Sequence, residues 1–130
     1  MEHPNVEQLR AFLDAYASGD PDALRATLAE DPIWHVGGTH ALSGDYRGRD
    51  AILDYFARVG TETDQTLRLE PIELLANEAR GAAFLRVTGK RGDRTLDVTM
   101  AEAIQFDGDG RIQEFWAHAT DQDAINRFWD

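Results

Sequence analysis

The sequence predicts an α+β domain in which helices pack on one face of a curved antiparallel sheet. Apolar residues recur at helical spacing in the first half of the chain, whereas the second half alternates with period two. "KRGDR" and "DGDG" supply the Gly and Asp residues that hairpin turns need between the last three strands. All 130 residues are expected to form one domain.

The first half is predicted to hold three helices. The first covers residues 5–18, and a short second helix begins at Pro21 after Asp20, which suits an N-cap. The third covers about 48–59. Between the second and third helices, "DPIWHVGG" indicates a short strand, and residues 37–47 are expected to form a loop.

The second half is predicted to hold a meander of four strands. Each strand shows period-two alternation, and the closing "TDQDAINRFWD" is compatible with a short C-terminal helix. The strands are expected over residues 66–76, 80–90, 94–106 and 111–119.

Composition excludes several classes of function. The chain carries 24 Asp plus Glu against 13 Lys plus Arg, a net charge of -11, which argues against nucleic-acid or anionic-membrane partners. No cysteine is present, so disulfides and thiolate metal sites are excluded. No apolar run approaches the roughly 20 residues of a membrane helix, and the N-terminus lacks a signal pattern, so a cytoplasmic protein is expected.

One carboxylate interrupts an apolar row. In "DVTMAEAIQF", Glu102 shares its side of the strand with Val98, Met100, Ile104 and Phe106. Burying a lone carboxylate costs several kcal/mol unless it is paired or protonated. If the row faces a cavity between sheet and helices, desolvation would raise the pKa of Glu102 and make it a general acid or base.

Two other interpretations of Glu102 are open. It could be hydrogen-bonded to a neighbouring arginine or tyrosine without any chemistry, with Arg86 as a candidate partner. Alternatively, the strand could be inverted, so that Glu102 meets solvent or a subunit interface.

The expected pocket has aromatic and aliphatic walls from two helices and three strands. A large, aromatic-rich interior suits a flat or hydrophobic ligand with few charges. The candidate substrate-binding residues are Phe12, Tyr16, Trp34, Val36, Tyr55, Phe56, Met100, Ile104 and Phe115.

Asp121 and His118 are candidate assistants to Glu102 in catalysis. Asp121 follows the last strand, where it could act as a second acid/base group or cap the C-terminal helix. His118 alternates with an apolar row, so a regular strand would turn it outward. His40 lies in the long loop near the expected pocket mouth.

Neither a metal site nor a cofactor is expected. No two histidines stand four residues apart on a predicted helix, and no histidine–carboxylate spacing matches a metal triad. "DGDG" lacks the later ligands of a calcium loop, because Arg111 and His118 occupy those positions. No Gly-rich phosphate loop appears either.

Three stretches, "GDPDALRATLAEDPIWHV", "YRGRDAILDYF" and "FDGDGRIQEFWAH", resemble the nuclear transport factor 2-like superfamily. More narrowly, the chain is similar to the SnoaL-like and ketosteroid-isomerase-like branch over nearly its whole length. The resemblance implies a cone-shaped barrel, in which a strongly curved, mixed and mostly antiparallel sheet wraps around three N-terminal helices. It also implies an internal pocket and a homodimer formed through the outer sheet face.

The same resemblance has consequences for single residues. Glu102 falls where ketosteroid isomerases carry their oxyanion-hole aspartic acid, a carboxylic acid kept neutral by an apolar site. Val36 stands in place of the base aspartate and Phe12 in place of the catalytic tyrosine, so steroid isomerisation by the usual route is not expected. Asp121 lies in a region where SnoaL-like cyclases carry an acidic acid/base residue.

The phase of the strands, carried over from the isomerases, directs three further side chains to the outer sheet face. These are His35, Trp116 and His118. A dimer interface formed through that face would bury them.

We therefore expect a cofactor-independent acid/base enzyme acting on a small hydrophobic molecule. A polyketide-, terpenoid- or steroid-like substrate fits, and isomerase, cyclase, dehydratase and epoxide hydrolase chemistry are all compatible with one pocket carboxyl. The alternative is a non-catalytic domain that binds a hydrophobic ligand or acts as a dimeric interaction module.

Overall fold

The computed structural model describes residues 2–130, which form a six-stranded sheet with four helices. The strand order is β2-β1-β6-β5-β4-β3, so β2 and β3 are edges and the barrel is not closed. Only β1 and β6 pair in parallel, which confirms a mixed, mostly antiparallel sheet. The strands are β1 (Leu28–Val36), β2 (Gly44–Arg47), β3 (Arg68–Ala76), β4 (Arg80–Arg91), β5 (Arg94–Phe106) and β6 (Ile112–Ala119).

The helices are α1 (Pro4–Ser18), α2 (Pro21–Thr27), α3 (Arg49–Glu62) and α4 (Gln122–Trp129). The Asp20 side chain accepts hydrogen bonds from the backbone N–H groups of Asp22 and Ala23 at 3.0 and 3.3 Å, which confirms the predicted N-cap of α2. Within residues 2–130, no helix has both the length and the apolar character needed to cross a membrane.

The helices cover one face of the sheet. α1 packs on β3 and β4, α3 packs on β1 and β2, and α4 packs against β5 and β6. Aromatic rings fill much of the space between the layers. Trp34 of β1 stacks on Phe115 of β6 with ring centroids 3.5 Å apart, and Phe12 of α1 packs on Trp34 at 5.5 Å. The predicted helix-on-sheet architecture is thus confirmed.

The sequence prediction misses one strand. The expected loop over 37–47 contains β2, whose four residues pair antiparallel with residues 33–36 of β1. Four residues are too few to show a period-two pattern, and only pairing with β1 defines them as a strand. β1 also begins at Leu28, directly after α2, and α3 continues to Glu62 rather than ending near 59. Both hairpin turns and the C-terminal helix form as predicted.

The loop over residues 37–43 is held against α4. The Thr39 backbone N–H donates to Asn126 Oδ1 at 3.0 Å. Gly38 has φ +93°, and a Cβ there would lie 2.3 Å from Gln122 Nε2 and 2.4 Å from Asn126 Oδ1. The loop therefore needs glycine at this position, both for its backbone angle and for close contact with the helix.

We expect Gly38→Ala to destabilise the protein by about 1–2 kcal/mol, because an L side chain resists this left-handed backbone conformation. The added methyl would also displace Asn126 from Thr39. The free energy of unfolding in urea measures the effect. Gly108→Ala is the matched control, since a Cβ there meets nothing within 4 Å; equal stability of the two variants would contradict the prediction.

Candidate functional site

A cavity of about 90 Å³ lies between the inner sheet face and the helices. The predicted wall residue Ile104 does not line it, because this side chain is 2% exposed and packed in the solid core further along β5. The other predicted walls all line the cavity: Phe12, Tyr16, Trp34, Val36, Tyr55, Phe56, Met100 and Phe115.

The C-terminal helix supplies cavity walls that the sequence analysis missed. Ile125 and Trp129 of α4 line the cavity and are 6% and 7% exposed. Arg91 of β4 donates a hydrogen bond to the Phe128 carbonyl at 3.1 Å, and its guanidinium lies 5.9 Å from the Trp129 ring centroid. The apolar residues of "AINRFW" recur at helical spacing, which is the signal that could have marked this helix as a wall.

Glu102 of β5 projects into this apolar interior and is 8% exposed. Its cross-strand neighbours are Ala83 on β4 and Ala117 on β6, and these small side chains leave room beside the carboxyl. Burial raises the pKa of Glu102 to about 8, and neither a hydrogen bond nor a neighbouring cation offsets the effect. The carboxyl is therefore mainly protonated at neutral pH.

Two phenols share the cavity with this carboxyl. Burial, together with the nearby Glu102 carboxyl, raises the pKa of Tyr16 to about 12. Burial likewise raises the pKa of Tyr55 far above its ordinary value. Both hydroxyls therefore keep their protons over the physiological range, and both are available to donate hydrogen bonds.

His40, in the loop over 37–43, also lines the cavity. Its Nδ1 atom accepts a hydrogen bond from the Leu42 backbone N–H at 3.1 Å. Its Nε2 atom is buried and has no hydrogen-bond partner among residues 2–130. The sequence predicts that His40 lies near the pocket mouth but indicates no role for it, because loop residues show no periodicity that reveals the direction of their side chains.

The two alternative interpretations of Glu102 are wrong. Arg86 does not pair with it, because its guanidinium donates to both carboxylate oxygens of Asp97 at 3.0 and 2.8 Å on the opposite sheet face. Nor is the strand inverted, since Glu102 is buried while its neighbour Ala103 is exposed.

Asp121 and His118 do not reach the cavity. Asp121 Oδ1 accepts a hydrogen bond from the Ala124 N–H at 3.1 Å, so this side chain caps α4. His118 is exposed and lies cross-strand from Ala101 on the outer face. Strand alternation therefore separates His118 from Glu102, and capping directs Asp121 elsewhere.

His35 and Trp116 also face outward, as the resemblance implied. Their rings stack with centroids 5.4 Å apart, and the His35 nitrogens lie 2.6 Å from Asp45 and 2.6 Å from Glu114. Burial opposes protonation of His35, but the hydrogen bonds to Glu114 and Asp45 outweigh it and raise its pKa. Among residues 2–130, no group of three or more His, Asp or Glu side chains is arranged to hold a metal ion.

A groove of about 400 Å³ adjoins the cavity beside the C-terminal ends of α1 and α3. Tyr16, Phe56, Leu67 and Leu69 line both spaces. The ring of Tyr16 meets Phe56 edge-on, with centroids 5.6 Å apart. These two rings therefore separate the buried cavity from the surface groove.

Three known proteins are similar to this chain. A steroid Δ-isomerase of Nocardioides simplex is 32% identical over 114 residues, covering 82% of this chain and 84% of the relative. Bal32a, from a soil-derived mobile gene cassette, has a TM-score of 0.92 and 32% identity, covering 97% of this chain and 96% of that one. An NTF2-like protein of Burkholderia xenovorans shares the fold, with a TM-score of 0.82 at 24% identity, covering 97% of this chain and 95% of that one.

A family model agrees with these likenesses. The model of the SnoaL-like domain matches residues 9–115, which include most of α1, all of α2, α3 and β1 to β5, and the first half of β6. That range contains Glu102, the phenols and His40, and the cavity residues beyond it are Ala117 of β6 and the α4 wall. The chain belongs to the SnoaL-like domain family and has the NTF2-like, ketosteroid-isomerase-like fold.

Proposed function

We propose that this protein is a cofactor-independent acid/base enzyme that acts on a small, uncharged, hydrophobic molecule. The observation that carries the proposal is the carboxyl of Glu102, buried at the wall of an apolar cavity with no partner. A carboxyl whose pKa is near 8 can give or take a proton at physiological pH. The steroid isomerase relative supports chemistry on a small molecule.

Glu102 would act on a carbonyl substrate through both of its oxygens. The protonated oxygen donates its proton to the carbonyl oxygen, and the other oxygen accepts a proton from the adjacent carbon. The substrate becomes an enol, while the carboxyl ends as it began, neutral and protonated. Isomerisation, cyclisation and dehydration can all begin with such a transfer, and acid-assisted epoxide opening uses its first half.

The cavity favours uncharged substrates. It has no cation to pair with an anionic group, and its polar lining groups are neutral near pH 7. Its volume of about 90 Å³ lies below the ~300–1,000 Å³ of ordinary ligand pockets. It therefore suits a single small ring, and a larger polyketide-, terpenoid- or steroid-like molecule would extend past Tyr16 and Phe56 into the groove.

A binding protein without chemistry is the second candidate, because the other ionisable groups of the cavity, His40 and the two phenols, have pKa values shifted away from neutrality. Phe12 and Val36 line it where the isomerase resemblance expected a tyrosine and a base. Asp121 and His118 lie elsewhere. A single carboxyl must then perform every proton transfer, or the cavity only holds its ligand.

We also propose that a second copy of the chain covers the outer sheet face. An apolar surface crosses four strands there, and Leu75 and Phe84 are 49% and 38% exposed. Exposed apolar surfaces of this kind mark interaction sites. A sheet face can pair with its own copy about a two-fold axis. We call this surface the outer belt: Leu75, Ala82, Phe84, Ala101, Ala103 and Trp116.

Glu102→Gln is expected to abolish proton transfer, because an amide can donate a hydrogen bond but does not give up its proton. Deuterium exchange at the carbons beside the carbonyl of cyclohexanone, followed by NMR in D₂O, measures the transfer. We expect the enzyme-dependent rate to fall at least ~100-fold.

Glu73→Gln is the control for this substitution, since Glu73 is exposed on edge strand β3. Undiminished exchange in Glu102→Gln would refute the catalytic role. A wild-type protein that binds cyclohexanone but does not accelerate exchange would instead support the binding function.

Glu102 should also make folding stability depend on pH. The folded protein keeps a proton on Glu102 up to about pH 8, whereas the unfolded chain releases it near the ordinary pKa of 4.5. Its stabilising contribution is thus fully present below pH 4.5 and is lost as pH rises to about 8, by about 1.4 kcal/mol per unit. Urea unfolding across this range should show that slope.

Glu102→Gln should remove the part of the pH dependence of stability that residue 102 causes. The part caused by His35, whose pKa is also raised, should remain. The difference between the two proteins therefore isolates Glu102. Parallel curves for wild type and variant would show that the carboxyl is not protonated in the folded state.

Phe84→Glu should convert the dimer into monomers, because it places a carboxylate in the centre of the outer belt. Light scattering coupled to size-exclusion chromatography measures the mass. The control is Ile72→Glu, which changes a 62% exposed residue of the edge strand outside the belt. A monomeric wild type, or dissociation by the control alone, would reject this interface.

A further inference from the structure

His40 is held in place by a network within its own loop. Its backbone N–H donates to Ser43 Oγ at 3.0 Å, and its carbonyl accepts from the Ser43 N–H at 3.1 Å. Ser43 Oγ in turn donates to the Gly37 carbonyl at 3.1 Å, and the Leu42 N–H donates to His40 Nδ1 at 3.1 Å. The imidazole is thus oriented before any ligand arrives.

The bond from Leu42 also indicates the tautomer of His40. Because Nδ1 accepts a hydrogen bond, the single proton of the neutral imidazole lies on Nε2. Burial lowers the pKa of His40 and outweighs the opposite effect of the nearby Gly37 carbonyl, which is a hydrogen-bond acceptor for the charged imidazole, so the ring stays neutral near pH 7. Nε2–H is therefore a donor, and it is buried without a partner.

A buried donor without an acceptor costs about 1–3 kcal/mol of stability. The structure of the loop does not require a donor at Nε2, because only Nδ1 makes the hydrogen bond with Leu42. A side chain with only an acceptor in that place would satisfy the loop equally well. The orphan Nε2–H at the cavity wall is thus the part of His40 that loop structure leaves unexplained.

We infer that His40 Nε2–H is a hydrogen-bond donor to the molecule held in the cavity, and that this molecule carries an uncharged oxygen acceptor, such as a ketone or an ether. The inference rests on the proposed function and names the substrate class that the cavity selects. His40 would determine specificity by holding an oxygen, while Glu102 moves the proton.

The other polar groups of the cavity support the same class of ligand. Near neutral pH, Tyr16 of α1, Tyr55 of α3 and Glu102 of β5 all carry a proton. With His40, four elements of the fold thus offer donors to a space whose other walls are apolar. A hydrocarbon leaves these donors unpaired, and an ammonium group meets no carboxylate, whereas a neutral carbonyl oxygen accepts from them.

Two substitutions separate the ligand contact of His40 from its loop contact. Asn places an acceptor near the position of Nδ1 but has no atom at Nε2, so His40→Asn keeps the loop bond and loses the cavity donor. Gln places an amide N–H near the position of Nε2 but lacks an atom at Nδ1. His40→Gln therefore keeps the cavity donor and loses the loop bond.

The probes are cyclohexanone and methylenecyclohexane, which share a ring and differ in C=O against C=CH₂. The chain has only two methionines, and Met100 lines the cavity, so ¹³C-methyl methionine labelling gives a direct NMR report of occupancy. Titration of wild type and both variants yields the ratio of the two dissociation constants for each protein.

We expect the preference for the ketone to fall roughly tenfold in His40→Asn, as the loss of one buried hydrogen bond implies, and to stay within about twofold in His40→Gln. A ratio unchanged in His40→Asn, or lost only in His40→Gln, would overturn the inference while leaving the cavity and Glu102 intact. Failure of both probes to bind wild type would overturn the proposed function and this inference with it.

A second readout does not depend on the variants. In ¹⁵N-histidine-labelled wild type, the His40 signals should show the Nε2–H tautomer, and cyclohexanone but not methylenecyclohexane should shift Nε2. A predominantly Nδ1–H ring, or equal shifts from both probes, would contradict the assigned donor.

Discussion

The uncompensated burial of one carboxyl is the constraint on which the proposed chemistry of this fold depends. Glu102 lies between Ala83 and Ala117 on adjoining strands, and no cation or hydrogen bond stabilises its ionised form. Replacing either alanine by a larger side chain would fill the space beside the carboxyl. Holding an ionised carboxylate there would be costly, so the protein retains the proton and raises the pKa to about 8. A type of side chain that is usually ionised at the protein surface is thus mainly protonated at neutral pH.

The alternation of the strands keeps two sets of polar groups apart. Across the sheet, inward residues line the cavity, while outward residues form the outer belt and the His35–Asp45–Glu114 cluster. His118 and Glu102 belong to adjacent strands, but their side chains lie on opposite faces of the sheet. The period of two therefore places the residues proposed for chemistry and those proposed for association on opposite faces of the sheet.

Closure of the site depends on segments remote from the sheet centre. α4 contributes Ile125 and Trp129 to the cavity, and its Asn126 holds the loop that carries His40. Gly38 lies close to α4, so a displacement of the C-terminal helix would also displace the loop that carries the His40 ring. Donors from α1, α3, β5 and this loop then surround one space, which suits an uncharged oxygen-bearing ring better than either a hydrocarbon or an ion.

From the sequence alone we could predict the helices, every strand except β2, both hairpins, the N-cap of α2 and the apolar row that contains Glu102, but not whether that row faces inward. These features depend on local periodicity and turn chemistry, which a single chain displays directly. The remaining features of the fold and the site depend on tertiary contacts. Only pairing with β1 makes residues 44–47 a strand, and only packing assigns Ile104 to solid core and turns Asp121 to capping. The direction of the His40 ring depends on hydrogen bonds within its own loop. Closure of the cavity by α4 depends on contacts between distant residues, such as Thr39 with Asn126, which are 87 positions apart. Neither kind of contact produces a periodic pattern in the sequence.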